Sequence, residues 1–255
     1  MRSYLLPVST ALMLSSPVLA QSRVIITEIM YNPASNERNG ETEWVEIANV
    51  GTNAVEIKDW RLDDEDKTDW GKFSCTLAPG GVAVLINSAV KEEQFRAAWD
   101  ETAESASAGK MTYQVIPVKW GGLANDPGPD NEVLQLRNDK DEVVCEVKQA
   151  GEWPSVKGVG GPSIWLSDAK ATDISDGKLW RKSEAGKDGA RNNKKTDVFD
   201  KEDCGSPGYV PGLGNAPAAG PAPEPTKPRP KSPAASQPGK PRPEAKGGDN
   251  HTIDY

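Results

Sequence analysis

Short runs of β-branched and apolar residues, cut every few positions by turn clusters, recur from residue 24 to residue 166 and leave little room for anything but an all-β fold. Val24-Ile25-Ile26-Thr27-Glu28-Ile29-Met30-Tyr31 stops at Asn32-Pro33, and Val82-Ala83-Val84-Leu85-Ile86 follows Pro79-Gly80-Gly81. Trp44 to Ile47 and Val55 to Leu62 flank Gly51-Thr52-Asn53 and read as a hairpin. Val133 to Leu136 and Val143 to Val147 flank Asn138-Asp139-Lys140-Asp141 and read as another, and Ile164-Trp165-Leu166 comes last. Val90 to Trp99 breaks the pattern. Phe95, Ala98 and Trp99 fall at helical spacing behind Ser88 as a cap, which predicts one short helix. Two packed antiparallel sheets are the natural way to bury so many strands.

The ends of the chain differ in kind from this middle. Arg2, an apolar stretch from Leu5 to Leu14 and the small-residue site Val18-Leu19-Ala20 predict a signal peptide over 1–20, cleaved after Ala20. The apolar run is interrupted by Pro7, Ser9 and Thr10 and is too short to span a bilayer, so the mature chain is expected to be exported and without a membrane span. Residues 211–255 hold 11 of the 21 prolines and only Leu213, Ile253 and Tyr255 as large apolar groups. Ordering them costs roughly 45–90 kcal/mol of backbone entropy, and three apolar side chains return only about 1.5–3 kcal/mol each. A disordered Pro/Ala-rich arm is expected there, leaving 21–210 as the folded domain.

That middle carries all eight Trp and a net charge of −11, which disfavours nucleic acid and anionic membranes as partners. The basic cluster Arg191-Asn-Asn-Lys194-Lys195 is surrounded by acids and reads as a solvated turn. Three cysteines, Cys75, Cys145 and Cys204, allow one internal disulfide or three buried thiols, and the sequence does not choose between them.

The strand runs and their turns, taken in order, resemble the lamin tail domain family. Ile-Thr-Glu-Ile-Met-Tyr-Asn-Pro (26–33) looks like that family's first strand and turn. Glu43-Trp44-Val45-Glu46-Ile47-Ala48-Asn49 and Asp59-Trp60-Arg61-Leu62 are similar to its second and third. Leu77-Ala78-Pro79-Gly80-Gly81, Glu132-Val133-Leu134-Gln135-Leu136, Trp153-Pro154, Gly161-Pro162-Ser163 and Gly205-Ser206-Pro207-Gly208 follow in order, so that the resemblance spans roughly 24–208. It implies an immunoglobulin-like β-sandwich that serves as a non-catalytic interaction module.

The chemistry available is narrow. The one histidine, His251, lies in the Pro-rich arm, which removes Ser–His and Cys–His dyads and histidine metal sites from the folded region. Gly158-Val-Gly160-Gly161 is followed by proline, not by a phosphate-binding helix. Five acids in seven residues from Asp63 to Asp69 offer hard oxygens for Ca²⁺ through Asp63, Asp64, Asp66 and Asp69, against a solvated acidic turn as the plainer reading. The 125–132 loop is a weaker acidic alternative. Trp44, Trp60 and Trp153 are expected in or over the core. Trp165, alternating with Ile164 and Leu166, is expected to face outward, while Trp70 and Trp120 sit beside glycines in loops as further contact residues or as lids over the sandwich ends.

The resulting expectation is a secreted, non-enzymatic β-sandwich with no cofactor, binding a protein or cell-envelope component. A carbohydrate-binding module using exposed Trp and Ca²⁺ is the alternative. An acidic-site hydrolase stands last.

Overall fold

The computed structural model describes residues 22–36, 38–64, 70–100, 113–123, 133–148, 154 and 160–213. The expected signal peptide at 1–20, Asp66 and Asp69, the 125–132 loop, Trp153 and the expected arm beyond Leu213 lie outside them. Among the described residues the strands are β1 (Val24–Met30), β2 (Trp44–Asn49), β3 (Val55–Asp63), β4 (Lys72–Leu77), β5 (Val82–Asn87), β6 (Gln114–Val118), β7 (Val133–Arg137), β8 (Val143–Lys148), β9 (Ile164–Leu166), β10 (Trp180–Lys182), β11 (Arg191–Asn192) and β12 (Cys204–Gly205). One α-helix, α1 (Glu92–Trp99), joins β5 to β6. A large sheet has the order β10-β9-β1-β2-β5-β6, a smaller one β4-β3-β7-β8, and β11 and β12 form a separate ribbon.

The β-sandwich expected from the strand runs is therefore present, with β4, β6 and β10 to β12 as strands that the runs did not indicate and with two differences in pairing. First, β5 and β6 pair in parallel, because α1 carries the chain across the large sheet and returns it in the same direction. Second, β2 and β3 do not form a hairpin. β2 pairs with β1 and β5, whereas β3 pairs with β4 and β7 in the other sheet. The Gly51-Thr52-Asn53 turn is a bridge between layers. Asn49 shapes it by donating through Nδ2 to the Asn53 and Leu77 carbonyls at 2.7 and 2.9 Å, and by accepting from the Gly51 N–H. Turn chemistry sets how sharply a chain bends, not which sheet it enters. The β7–β8 hairpin matches the sequence reading.

The helix starts later than Ser88. The Lys91 N–H is satisfied by Gln94 Oε1 at 2.9 Å, whereas the Ser88 N–H is bound to the Val118 carbonyl and so belongs to the end of β6.

The central strands of the large sheet are covered on both faces. Every residue of β1, β2 and β5 is buried, a pattern typical of a sheet with no solvent face. One face, with Ile26, Ile29, Val45 and Ile47, meets the small sheet, and there the Ile26 N–H points at Cys145 Sγ (3.4 Å). The other face carries Trp44. Phe95 and Trp99 of α1 pack edge-on against it at 6.2 and 5.5 Å, and Phe199 closes the cluster against both at 6.0 and 6.4 Å. Burial of rings of this size contributes roughly 3 kcal/mol each. The architecture is thus a sandwich with a third, partial layer made of α1 and the segment 191–208.

Candidate functional site

The most concentrated polar chemistry lies under that third layer. A β-bulge between Ile26 and Glu28 shifts the register of β1 so that Glu28 stands opposite Glu46. Both carboxylates point away from the small sheet and are fully buried, at 1% and 0% exposure. Glu28 Oε1 accepts from the Ser163 hydroxyl at 2.5 Å and the Ser206 N–H at 2.7 Å, and Oε2 from the Ser206 hydroxyl at 2.7 Å. Glu46 accepts from the Thr27 hydroxyl at 2.7 Å and the Gly208 N–H at 2.6 Å. Ser183 adds a hydroxyl 2.7 Å from Ser163. Burial pushes both carboxyl pKa values upward, and for Glu46 the neighbouring Glu28 charge adds to this; hydrogen bonds and Arg191 pull the other way.

Close backbone approach makes the arrangement possible. A Cβ on Gly205 would lie 2.8 Å from the Trp44 ring and 3.1 Å from Glu28 Oε1, and Gly208 holds φ +89° against the Tyr113 ring. The segment is tied down elsewhere by its own polar groups. Asp203 accepts from the Ala34 N–H at 2.5 Å and the Ser35 hydroxyl at 2.5 Å, which fixes the loop after β1. The Arg191 cluster is not a solvated turn. Arg191 Nε donates to the Trp99 carbonyl at 2.7 Å, the Lys194 N–H to Ala98 and Lys194 Nζ to Asp100, both at 2.7 Å. These are carbonyls at the C-terminal end of α1, where cations and donors are favoured.

Trp165 sits on the same face, because it pairs with Glu28 on one side and Arg181 on the other. It is half-buried between buried Ile164 and Leu166, consistent with the alternation in the sequence. With Ser167, Arg181, Lys182, Lys187 and Asp188 it lines an open groove of about 280 Å³. A second cavity of about 490 Å³ lies near Arg23, Val50 and Pro211. Neither is lined by Glu28 or Glu46. The acid pair is sealed and suited to holding layers together.

Trp70 and Trp120 are not exposed contact residues. At 4% and 5% exposure they pack on each other with ring centroids 5.9 Å apart, and Trp120 Nε1 donates to the Gly40 carbonyl. They act as lids, since so large an apolar surface gains more from burial than from waiting for a ligand. Trp44 is in the core, and Trp60, on β3 of the small sheet, is half-buried at the margin of the core.

The acidic turn is also partly spoken for. Asp63 lies between Arg61 Nη1 at 2.7 Å and Arg137 Nε at 3.0 Å, and Asp64 is buried and engaged. Two guanidiniums already neutralise Asp63, so it does not await a cation as a bare ligand would. Among the described residues no group of three or more His, Cys, Asp or Glu side chains is placed to hold a metal ion. All three cysteines are free thiols. Cys75 and Cys145 stand on opposite edge strands of the small sheet, and Cys204 lies on the ribbon, which explains why none pairs. Burial pushes the thiols up to about 12, 11 and 11 respectively, far from reactive thiolates.

Glu28 and Glu46 are not among the site residues expected from sequence. A signal was available: each is the one acid inside a run that is otherwise apolar or hydroxyl-bearing, in strands too apolar for an open face. Reading these strands as half-buried sends both side chains to solvent.

Against known families, the model described as Lamin Tail Domain matches residues 17–151. The matched span stops short of the 24–208 that the sequence resemblance suggested and leaves the covering segment outside. No curated protein matches the chain.

Proposed function

The chain belongs to the lamin tail domain family, and from this premise we propose that it is an exported, non-enzymatic interaction module that binds a protein or cell-envelope component through the surface around Trp165. The family is one of immunoglobulin-like, non-catalytic folds. The observation that carries the reading is the half-exposed Trp165 in its groove. It alone of the three expected contact tryptophans keeps an indole surface open, beside the cations Arg181 and Lys182. Aromatic and arginine side chains in such settings supply a large share of binding energy at interfaces. The Pro-rich arm beyond residue 210 lends reach to such a module. With Trp70 and Trp120 buried, a carbohydrate platform built on several rings loses two of its three members.

Retention of the full chain on isolated envelope fractions tests this. Trp165→Ala is expected to leave the unfolding midpoint in urea unchanged and to cut retention at least tenfold, as about 1.4 kcal/mol of lost contact energy does. Undiminished retention, or a collapse of stability, overturns the assignment of Trp165. Trp165-dependent binding to insoluble polysaccharide instead would favour the carbohydrate reading.

A further inference from the structure

Among the described residues Glu28 and Glu46 face a single cation, Arg191. Opposite Glu46 on its other side stands Val84 of β5, and opposite Glu28 stands Trp165 of β9. Serines 163 and 183 contribute hydroxyls, and the guanidinium of Arg181 on β10 is bound to the Lys178 and Trp180 carbonyls. From α1 come the Phe95 and Trp99 rings. β11 brings Arg191, and β12 brings the Cys204 thiol, which the Glu28 charge helps to hold neutral. Tyr113, packed against Gly208, is likewise held neutral by burial. Two ionised carboxylates here would leave one negative charge uncompensated at a site closed to solvent by burial, which costs more than keeping a proton.

The hydrogen bonds place that proton. Glu28 Oε1 meets the Ser206 N–H, which can only donate, and Oε2 meets the Ser206 hydroxyl, whose hydrogen bond in the structure goes to that oxygen. Glu46 Oε2 meets the Gly208 N–H, which can only donate. Glu46 Oε1 meets Thr27 Oγ1, a hydroxyl able to accept, and the Glu46 carbonyl at 3.4 Å offers the Thr27 hydrogen a second acceptor. Protonated at Oε1, Glu46 donates to Thr27, and the Thr27 hydrogen, given to Oε1 when the carboxyl is ionised, turns to the Glu46 carbonyl.

We propose that the Glu28–Glu46 pair is a proton-operated latch: with the proton on Glu46 the segment 191–208 is seated on the large sheet, and loss of the proton shifts that segment toward an open state while the two sheets stay folded. Opening withdraws Ser206, Gly208 and Arg191 from the carboxylates and Phe199 from the Phe95–Trp99 rings, and lets water reach the acids. The sign follows from linkage. The seated state binds the proton more tightly than the open state, where Glu46 is an ordinary solvated carboxyl. Seating is therefore at full strength in acid below the usual carboxylate range and is lost as pH rises through the raised value. In that window the seating equilibrium weakens about tenfold per pH unit.

Hydrogen exchange on the full chain, corrected for the base catalysis of exchange itself, reads this directly. Protection of the 191–208 amides is expected to fall about tenfold per pH unit as pH rises above the usual carboxylate range through the raised value, while protection in β2 and β5 holds. Glu46→Gln carries a permanently neutral group with a carbonyl for Gly208 and an amide for Thr27, and is expected to flatten the dependence. Glu28→Gln leaves Glu46 alone with Arg191 and is expected to do the same, which keeps the test open should one variant fail to fold. Wild-type protection independent of pH, a parallel fall in β2 and β5, or a wild-type slope in a folded Gln variant each overturns the latch.

Discussion

On the outer face of the small sheet, Asp63 and Asp141 stand between Arg61 and Arg137, two acids to two bases; on the covered face of the large sheet, Glu28 and Glu46 share, among the described residues, Arg191 alone. In the first group Arg61 touches Asp63 at 2.7 Å and Asp141 at 2.6 Å, and water has access. The hydrogen bond from Arg61 holds the Asp141 carboxyl below its usual range. In the second, burial outweighs every donor and both carboxyls are held above theirs. The same side-chain chemistry is thus displaced in opposite directions by the ratio of cations to acids and by exclusion of water.

Three substitutions would sharpen this contrast or break it. Glu28→Ala leaves the Ser163 and Ser206 donors orphaned in a dry layer, and urea unfolding is expected to show a loss of about 3–5 kcal/mol. Asp63→Ala removes the acid between two guanidiniums that remain partly hydrated, and the same measurement should give about 1–2 kcal/mol. Asp141→Ala takes away a fully exposed partner, and no change in the unfolding midpoint is expected at moderate salt. A Glu28→Ala loss no larger than that of Asp63→Ala would mean that the covered face is wetter than its burial indicates.

The pH profiles of the two groups run in opposite senses. Asp141 and Glu146 have lowered carboxyl pKa values, so their stabilisation is present above the usual carboxylate range and fades as pH falls through the lowered values. The Glu28–Glu46 pair favours the folded state in mild acid and loses that contribution as pH rises. Glu46→Gln should remove the alkaline limb of a urea midpoint profile and leave the acid limb in place.

Most of the strands were legible as runs of Val, Ile and Leu with turn residues between them, and the helix as three apolar positions at the right spacing. The β7–β8 hairpin followed from its Asn-Asp-Lys-Asp turn. The β2–β3 hairpin did not follow from Gly51-Thr52-Asn53, because the bend is the same whether the chain returns to its own sheet or crosses to the facing one. Of the contact tryptophans, Trp165 is placed as its alternation indicated. Trp70 and Trp120 had only glycine neighbours as a guide, and each buries the other. Arg191 and Lys194 read as a charged turn because the helix end they cap lies more than ninety residues earlier.

By itself the sequence determined an all-β body, its more apolar strands, one short helix and the poverty of catalytic groups, since all of these depend on local composition and period. Only the tertiary structure decided that the central strands of the large sheet have no open face, that two glutamates on successive strands, Glu28 and Glu46, meet in register, and that a segment outside the family match covers them. The reason is physical: periodicity records which residues avoid water, whereas the partner that excludes the water is chosen by distant parts of the chain coming together.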